Sequence, residues 1–218
     1  MQKPNERLIA KKEEWARYKR GHVEDGVMQD HRSRQDRLPP GQHLTKNWPV
    51  LDLGIHPDFA IESWTLNIHG LVATSTTWAW ADVLAQPQIR LRSDFHCVTT
   101  WSTFDNDWDG VSFRHLMDVV KPDQDARFVF FTAYDGYTTN LPLEACDDDD
   151  VLLAHTWNGQ PLSREHGGPL RMIVPKRYAW KGAKWIKEIV FLDRDRPGYW
   201  EVRGYSNTAL PWDEDRYA

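Results

Sequence analysis

The chain has 218 residues, enough for one sizeable core and for a single domain with an arm. Hydrophobic residues make up 40% and charged residues 27%, the balance of a soluble globular protein. A net charge of −5 gives no electrostatic basis for binding nucleic acid or an anionic membrane, and no apolar run approaches the length of a membrane span. Two cysteines exclude a disulfide scaffold, an iron–sulfur cluster and a Cys-rich zinc site.

In chain order, residues 1–41 read as a charged N-terminal arm in which Ile9 to Tyr18 could form a short helix. Lys19-Arg20 is not followed by an apolar segment, so no secretory or twin-arginine signal is expected and a cytoplasmic location is. Pro39-Pro40-Gly41 punctuates the chain, and the compact domain is placed at 42–218. Trp64 to His69 alternates apolar and polar residues, the pattern of a half-buried strand ended by Gly70. Thr76-Thr77 precede a helix expected over Trp78 to Leu84. A second helix is expected over Ser112 to Val120, closed by Pro122. Arg127 to Ala133 suits a buried strand, with Tyr137-Thr138-Thr139 as its partner. Leu170 to Val174 and Ile186 to Leu192 read as further strands. Short strands with short helices between them suggest an α+β fold with a mixed, partly barrel-like sheet. The acidic run Asp147 to Asp150 reads as a solvated turn.

Two features could carry chemistry. Between Arg171 and Lys187 lie six basic residues and no acid, with Gly167-Gly168 and Gly182 beside or within the stretch. Arginine offers a fork that fits phosphate, and glycine allows close backbone approach, so a buried anion would suit this segment. A strand and loop with a basic solvent face would suit it equally. The second feature is Cys97, in Asp94-Phe95-His96-Cys97-Val98-Thr99-Thr100-Trp101. A free cysteine is commonly a small buried hydrophobe, and Cys146 is read as one. Cys97 has polar neighbours and nearby tryptophans, which would suit a pocket wall. As a thiolate it could bind a metal or act as a nucleophile. The nine histidines show no HExxH and no close pair at metal-ligand spacing, which weakens a zinc-hydrolase reading.

The ordered set of motifs resembles the molybdopterin-binding domain of the sulfite oxidase family, over roughly residues 42–218. The likeness is greatest to its small bacterial branch, the sulfite oxidase-like oxidoreductases. Asp94 to Ser102 followed by Trp108-Asp109-Gly110-Val111 resembles the metal-cysteine loop. Tyr134 to Glu144 resembles the second pocket strand. Glu165 to Arg171, Pro175 and Lys181 to Trp185 resemble the pterin-binding segment.

The resemblance implies a molybdenum–molybdopterin cofactor with one pterin. Cys97 would be the protein thiolate on the metal. His166, Arg171 and Lys184 would hold the pterin and its phosphate, with backbone help from Gly182 and Ala183. Thr132 falls near another pterin contact, and Lys46-Asn47-Trp48 stands where many members have Arg-Asn-His against the cofactor. Trp108 matches the pocket tryptophan, and His155 matches the tyrosine that hydrogen-bonds near the metal oxygen. Two arginines of the sulfite pocket are replaced by Lys46 and Ser102. Losing a guanidinium removes charge and fork together, so sulfite should bind poorly. The implied reaction is a two-electron oxygen-atom transfer on a small molecule, with reduction of a sulfoxide or N-oxide favoured over sulfite oxidation. The chain carries no haem or flavin motif, so a separate carrier (a cytochrome, a flavoprotein or a quinone-linked protein) is implied. A non-catalytic pterin carrier and a thiol hydrolase using Cys97 are the alternatives.

Overall fold

The computed structural model describes residues 6, 7, 9, 10, 14 and 37–218. The described strands are β1 (His43–Leu44), β2 (Thr65–Gly70), β3 (Thr76–Ala79), β4 (Gln88–His96), β5 (Trp101–Ser112), β6 (Phe128–Ala133), β7 (Thr138–Pro142), β8 (Leu152–Trp157), β9 (Gln160–Pro161), β10 (Arg171–Ile173) and β11 (Ile186–Leu192). Short helices α1 (Trp80–Ala85), α2 (Phe113–Val120) and α3 (Leu143–Cys146) connect them. No described helix is long and apolar enough to cross a membrane.

Two mixed sheets result, giving the expected α+β class, and both stay open rather than closing into a barrel. The five-stranded sheet runs β3-β2-β11-β6-β7, with β2 and β11 parallel and the other pairs antiparallel. The six-stranded sheet runs β1-β5-β8-β10, with β4 on β5 and β9 on β8. Alternation in the six-stranded sheet feeds two cores. Val111, Leu153 and Met172 face the core shared with the five-stranded sheet. Trp108, Leu152, Ala154 and Ile173 face a second, aromatic-rich core that also holds Cys97. Arg171 is two residues from Ile173 on β10, so the strand's period of two aims it at the second core.

Several expected elements need correction. Thr76, Thr77 and Trp78 do not begin a helix; they pair antiparallel with Ile68, Asn67 and Leu66 of β2. β-Branched threonines favour the pleated strand, and α1 starts only at Trp80, where the Asp82 carboxylate accepts the Ala79 N–H at 2.8 Å. α2 ends at Val120 because Lys121 takes a left-handed φ of 53°, one residue before Pro122. The longest strands, β4 and β5, lie where the sequence reading placed no strand. They form one hairpin whose outer face carries the pairs Arg90–Asp109 and Arg92–Asp107. The expected N-terminal helix falls mostly outside the described residues. Residues 6, 7, 9, 10 and 14 are helical, and Ile9 is buried in the second core. Arg37 pairs with Asp94 and Asp105 on the hairpin.

Gly110 sits at a bulge where β5 crosses β8, and a Cβ there would lie 2.0 Å from the Leu153 carbonyl oxygen. Backbone cannot yield as a side-chain tip can. Gly110→Ala should therefore lower unfolding stability by about 2–3 kcal/mol or more in a urea titration. A midpoint unchanged from wild type would show that the two strands can move apart there.

Candidate active site

Cys97 stands at the turn of the β4–β5 hairpin. Its N–H donates to the Trp101 carbonyl at 2.9 Å, and its carbonyl accepts the Thr100 N–H at 3.0 Å. Thr100 closes this turn with a left-handed φ of 72°. A bulge at Asp94 sets the register, so that Phe95 and Cys97 both line a cleft while His96 turns away to Ser102. The Cys97 carbonyl also accepts from the Gln42 side chain at 3.1 Å, and its Sγ lies 3.2 Å from the Thr99 hydroxyl. The thiol is therefore presented from a rigid sheet end.

The basic segment supplies further residues of the cleft lining. Arg171 is buried, and its guanidinium donates to the carbonyls of His166 at 2.8 Å and Gly182 at 3.4 Å. Its charge lies over the rings of Trp48 and Phe95, at 5.1 and 5.3 Å. Among the described residues no carboxylate pairs with it, and burial alone pulls its pKa down to about 9. Lys184 is held by the Glu165 carbonyl at 2.7 Å and by Asp52 at 3.3 Å. Burial pulls the Lys184 ammonium down to about 8, against the opposing pull of Asp52. His166 lies between Ser163, whose hydroxyl is 2.9 Å from Nδ1, and the Trp48 carbonyl, 3.1 Å from Nε2. Nε2–H donates to that carbonyl, and burial lowers the pKa of the ring.

These walls enclose a cleft of about 850 Å³ counting its open mouth. Cys97, Trp48, His166, Arg171, Gly182 and Lys184 all line it. A buried cation without a carboxylate is costly unless an anion completes it. A thiol, a guanidinium with no carboxylate partner among the described residues and a second cation in one cleft fit a ligand that joins a soft metal to a phosphate.

The other expected residues lie elsewhere. His155 is the extra residue of a bulge between Asp109↔Thr156 and Gly110↔Ala154, and it points away from the cleft. Its Nε2 meets the Gln88 side chain at 2.9 Å, its Nδ1 meets Thr156 at 2.8 Å, and Trp80 packs edge-on against it. Trp108 is fully buried behind Trp48, with its indole N–H on Ser93 at 3.1 Å. Lys46 and Asn47 are exposed and outside the cleft lining. Ser102 is buried and bonded to His96 and Gln42. Thr132 donates to Glu188 at 2.9 Å on the five-stranded sheet. Ala183 belongs to the shared core, where its carbonyl accepts the Met172 N–H at 2.9 Å.

The glycines and the basic run also play parts other than those expected. A Cβ on Gly182 would lie 2.6 Å from the Met172 oxygen, and one on Gly167 would lie 2.9 Å from Lys184 Cβ, so both admit the protein's own chain. Lys176 pairs with Asp148 and Asp150, and Lys181 pairs with Glu201. The acidic run is a turn, but Arg114 and Lys176 neutralise much of it. Sequence reasoning missed Asp52, Asp135, Tyr137, Trp180 and Trp200, all in the cleft lining. Asp135 and Tyr137 stood inside a motif already singled out, and burial pushes the Asp135 carboxyl up to about 6. For Trp180 and Trp200 the only signal was that the chain has twelve tryptophans, many for its length.

The model of the oxidoreductase molybdopterin binding domain matches residues 53–200. The chain is 40% identical over 182 residues to the uncharacterized oxidoreductase YuiH of Bacillus subtilis, covering 83% of this chain and 92% of that protein. It is 32% identical over 179 residues to the protein-methionine-sulfoxide reductase catalytic subunit MsrP of Gluconobacter oxydans, covering 71% of this chain and 57% of that one. The fold is similar to the sulfane dehydrogenase SoxCD from Paracoccus pantotrophus, with a TM-score of 0.59, 21% identity, and coverage of 64% of this chain and 40% of that one. The chain thus spans nearly all of the first relative but just over half of the reductase. Its match to the family model, read with the thiol and cations that line one cleft, makes this chain a member of the molybdopterin-binding oxidoreductases of the sulfite oxidase type.

Proposed function

We propose that the chain catalyses two-electron reduction of a small neutral sulfoxide or N-oxide, drawing electrons from a separate carrier protein. A sulfoxide, two electrons and two protons give a thioether and water. The molybdenum–pterin cofactor supplies the oxygen-atom chemistry when bound. Cys97 would be the thiolate on the metal, and Arg171 and Lys184 would meet the pterin phosphate, with His166 and Trp48 beside it.

The observation that carries the substrate reading is the composition of the cleft. Its cations, Arg171 and Lys184, both belong to the segment that would hold the cofactor. Its remaining walls include Leu51, Leu53, Val98, Trp101, Trp200 and Tyr205. Sulfite would need a further cation to offset desolvation, whereas a neutral sulfoxide needs only apolar contact and one donor. Lys46, Ser102 and His155 do not enter this argument, because none lines the cleft. The likeness to a methionine-sulfoxide reductase subunit supports the same direction.

Protein purified from molybdenum-replete cells should hold about one molybdenum and one pterin per chain, and should reduce sulfoxides with a dye donor. Cys97→Ser should lose visible thiolate-to-metal absorption and at least about a hundredfold in kcat/KM. Faster turnover of sulfite than of any sulfoxide would reverse the direction proposed.

The depressed Lys184 value gives a pH dependence. Its folded value near 8 lies below its ordinary value of 10.5, so its stability contribution is complete above that ordinary value and is lost as pH falls through 8. Anion binding runs the opposite way, since it needs the ammonium. The affinity of cofactor-free protein for inorganic phosphate should fall as pH rises above about 8, and Lys184→Met should flatten that fall. Calorimetry showing the same slope in both proteins would remove Lys184 from the anion site.

A further inference from the structure

Behind the cleft lies a buried ion pair that the proposed chemistry does not use. Lys181 Nζ is 2.7 Å from Glu201 Oε1, and both side chains are almost wholly buried. Lys181 also donates to the carbonyl and the side-chain oxygen of Asn140, each at 3.1 Å. Glu201 Oε1 accepts two more donors, the Thr139 hydroxyl at 2.9 Å and the Trp180 indole N–H at 3.2 Å. Its other oxygen is buried with no hydrogen-bond partner among the described residues.

That lopsided arrangement decides between two roles. A buried pair kept for stability alone is a poor device, since apolar residues of similar volume commonly serve as well or better. Leaving one carboxylate oxygen bare adds to the cost. What the carboxylate does achieve is to draw three donors from two other segments onto one point. Thr139 lies on β7, Trp180 and Lys181 lie in the turn after β10, and Glu201 follows Trp200 near the C-terminus. Gly198 makes the approach possible: a Cβ there would lie 2.4 Å from Thr139 Cα and 2.8 Å from Glu201 Oε2.

Trp180 is held at its other end as well. Its carbonyl accepts the Tyr137 hydroxyl at 2.6 Å, and its ring stacks on Tyr178 and meets Tyr205 edge-on. Trp180, Tyr137, Trp200 and Tyr205 all line the cleft. We propose that Glu201 is a positioning residue: steadied by Lys181, it anchors the Trp180 indole and so sets the aromatic wall that fits the substrate. The kinetic part of this rests on the sulfoxide-reductase reading; the anchoring part does not.

Two charge-free replacements separate anchoring from ion pairing. Lys181→Met with Glu201→Gln keeps an oxygen acceptor for the indole. Lys181→Met with Glu201→Leu removes it. In cofactor-free protein labelled with ¹⁵N-tryptophan, the Trp180 indole signal, assigned with Trp180→Phe, should stay hydrogen-bonded in the first pair and shift in the second. In loaded enzyme with methyl phenyl sulfoxide and a dye donor, the first pair should keep KM within about twofold. The second should raise KM about tenfold with kcat nearly unchanged. Indistinguishable behaviour of the two pairs, by NMR or by KM, would overturn the proposal. Should neither pair fold, Trp180→Phe decides, since an unchanged KM would mean that the wall needs no positioning. If wild type reduces no sulfoxide while the indole signals still separate as expected, the substrate reading fails and the anchor stands.

Discussion

The cleft is organised around a buried guanidinium that finds no carboxylate among the described residues. Arg171 is carried inward by the period of β10, between carbonyls of His166 and Gly182 and over the rings of Trp48 and Phe95. Neutral carbonyls and ring faces offset only part of the cost of burying that charge. The fold thus holds a positive charge in its interior whose natural complement is an anion from outside the chain. Lys184, lowered by the same burial, lines the same cleft and is only partly balanced by Asp52.

The rest of the architecture brings a thiol into the cleft that holds that charge. The six-stranded sheet lends one surface to the core shared with the five-stranded sheet, and the other to the cleft. Cys97 hangs from the β4–β5 turn and Arg171 from β10, and both line the cleft. Neither depends on a long loop, so both walls inherit the rigidity of paired strands. Aromatic side chains fill the space between, and the anchored Trp180 shows how buried polar groups can serve a wall's position rather than its stability.

Much of this was legible in the sequence, and the failures have physical causes. The strand over 65–70 was visible from its alternation, and that over 128–133 from its apolar run; the strand over 186–192 was expected as well. The helix expected at Trp78 failed because Thr76 and Thr77 were read as a cap when pairing with β2 made them a strand. The β4–β5 hairpin was hidden because its outer face carries arginines and aspartates that resemble a loop until cross-strand pairs are known. Motif order located Cys97, His166, Arg171 and Lys184 on the cleft. It misplaced His155 because a single bulge residue changes what a strand position faces. The basic run pointed to an anion site in only two of its six cations; Lys176 and Lys181 answer to carboxylates distant in sequence, which no local pattern shows.

The most direct test of this account is the thermal stability gained on loading the cofactor, compared between wild type and Arg171→Met. The account predicts that cofactor-free Arg171→Met melts within a few degrees of cofactor-free wild type, roughly the effect of 1 or 2 kcal/mol at this size. It also predicts that the variant loses most of the gain that loading gives wild type. A variant that melts far lower when empty, yet keeps the full gain on loading, would show that Arg171 serves the fold and not the ligand.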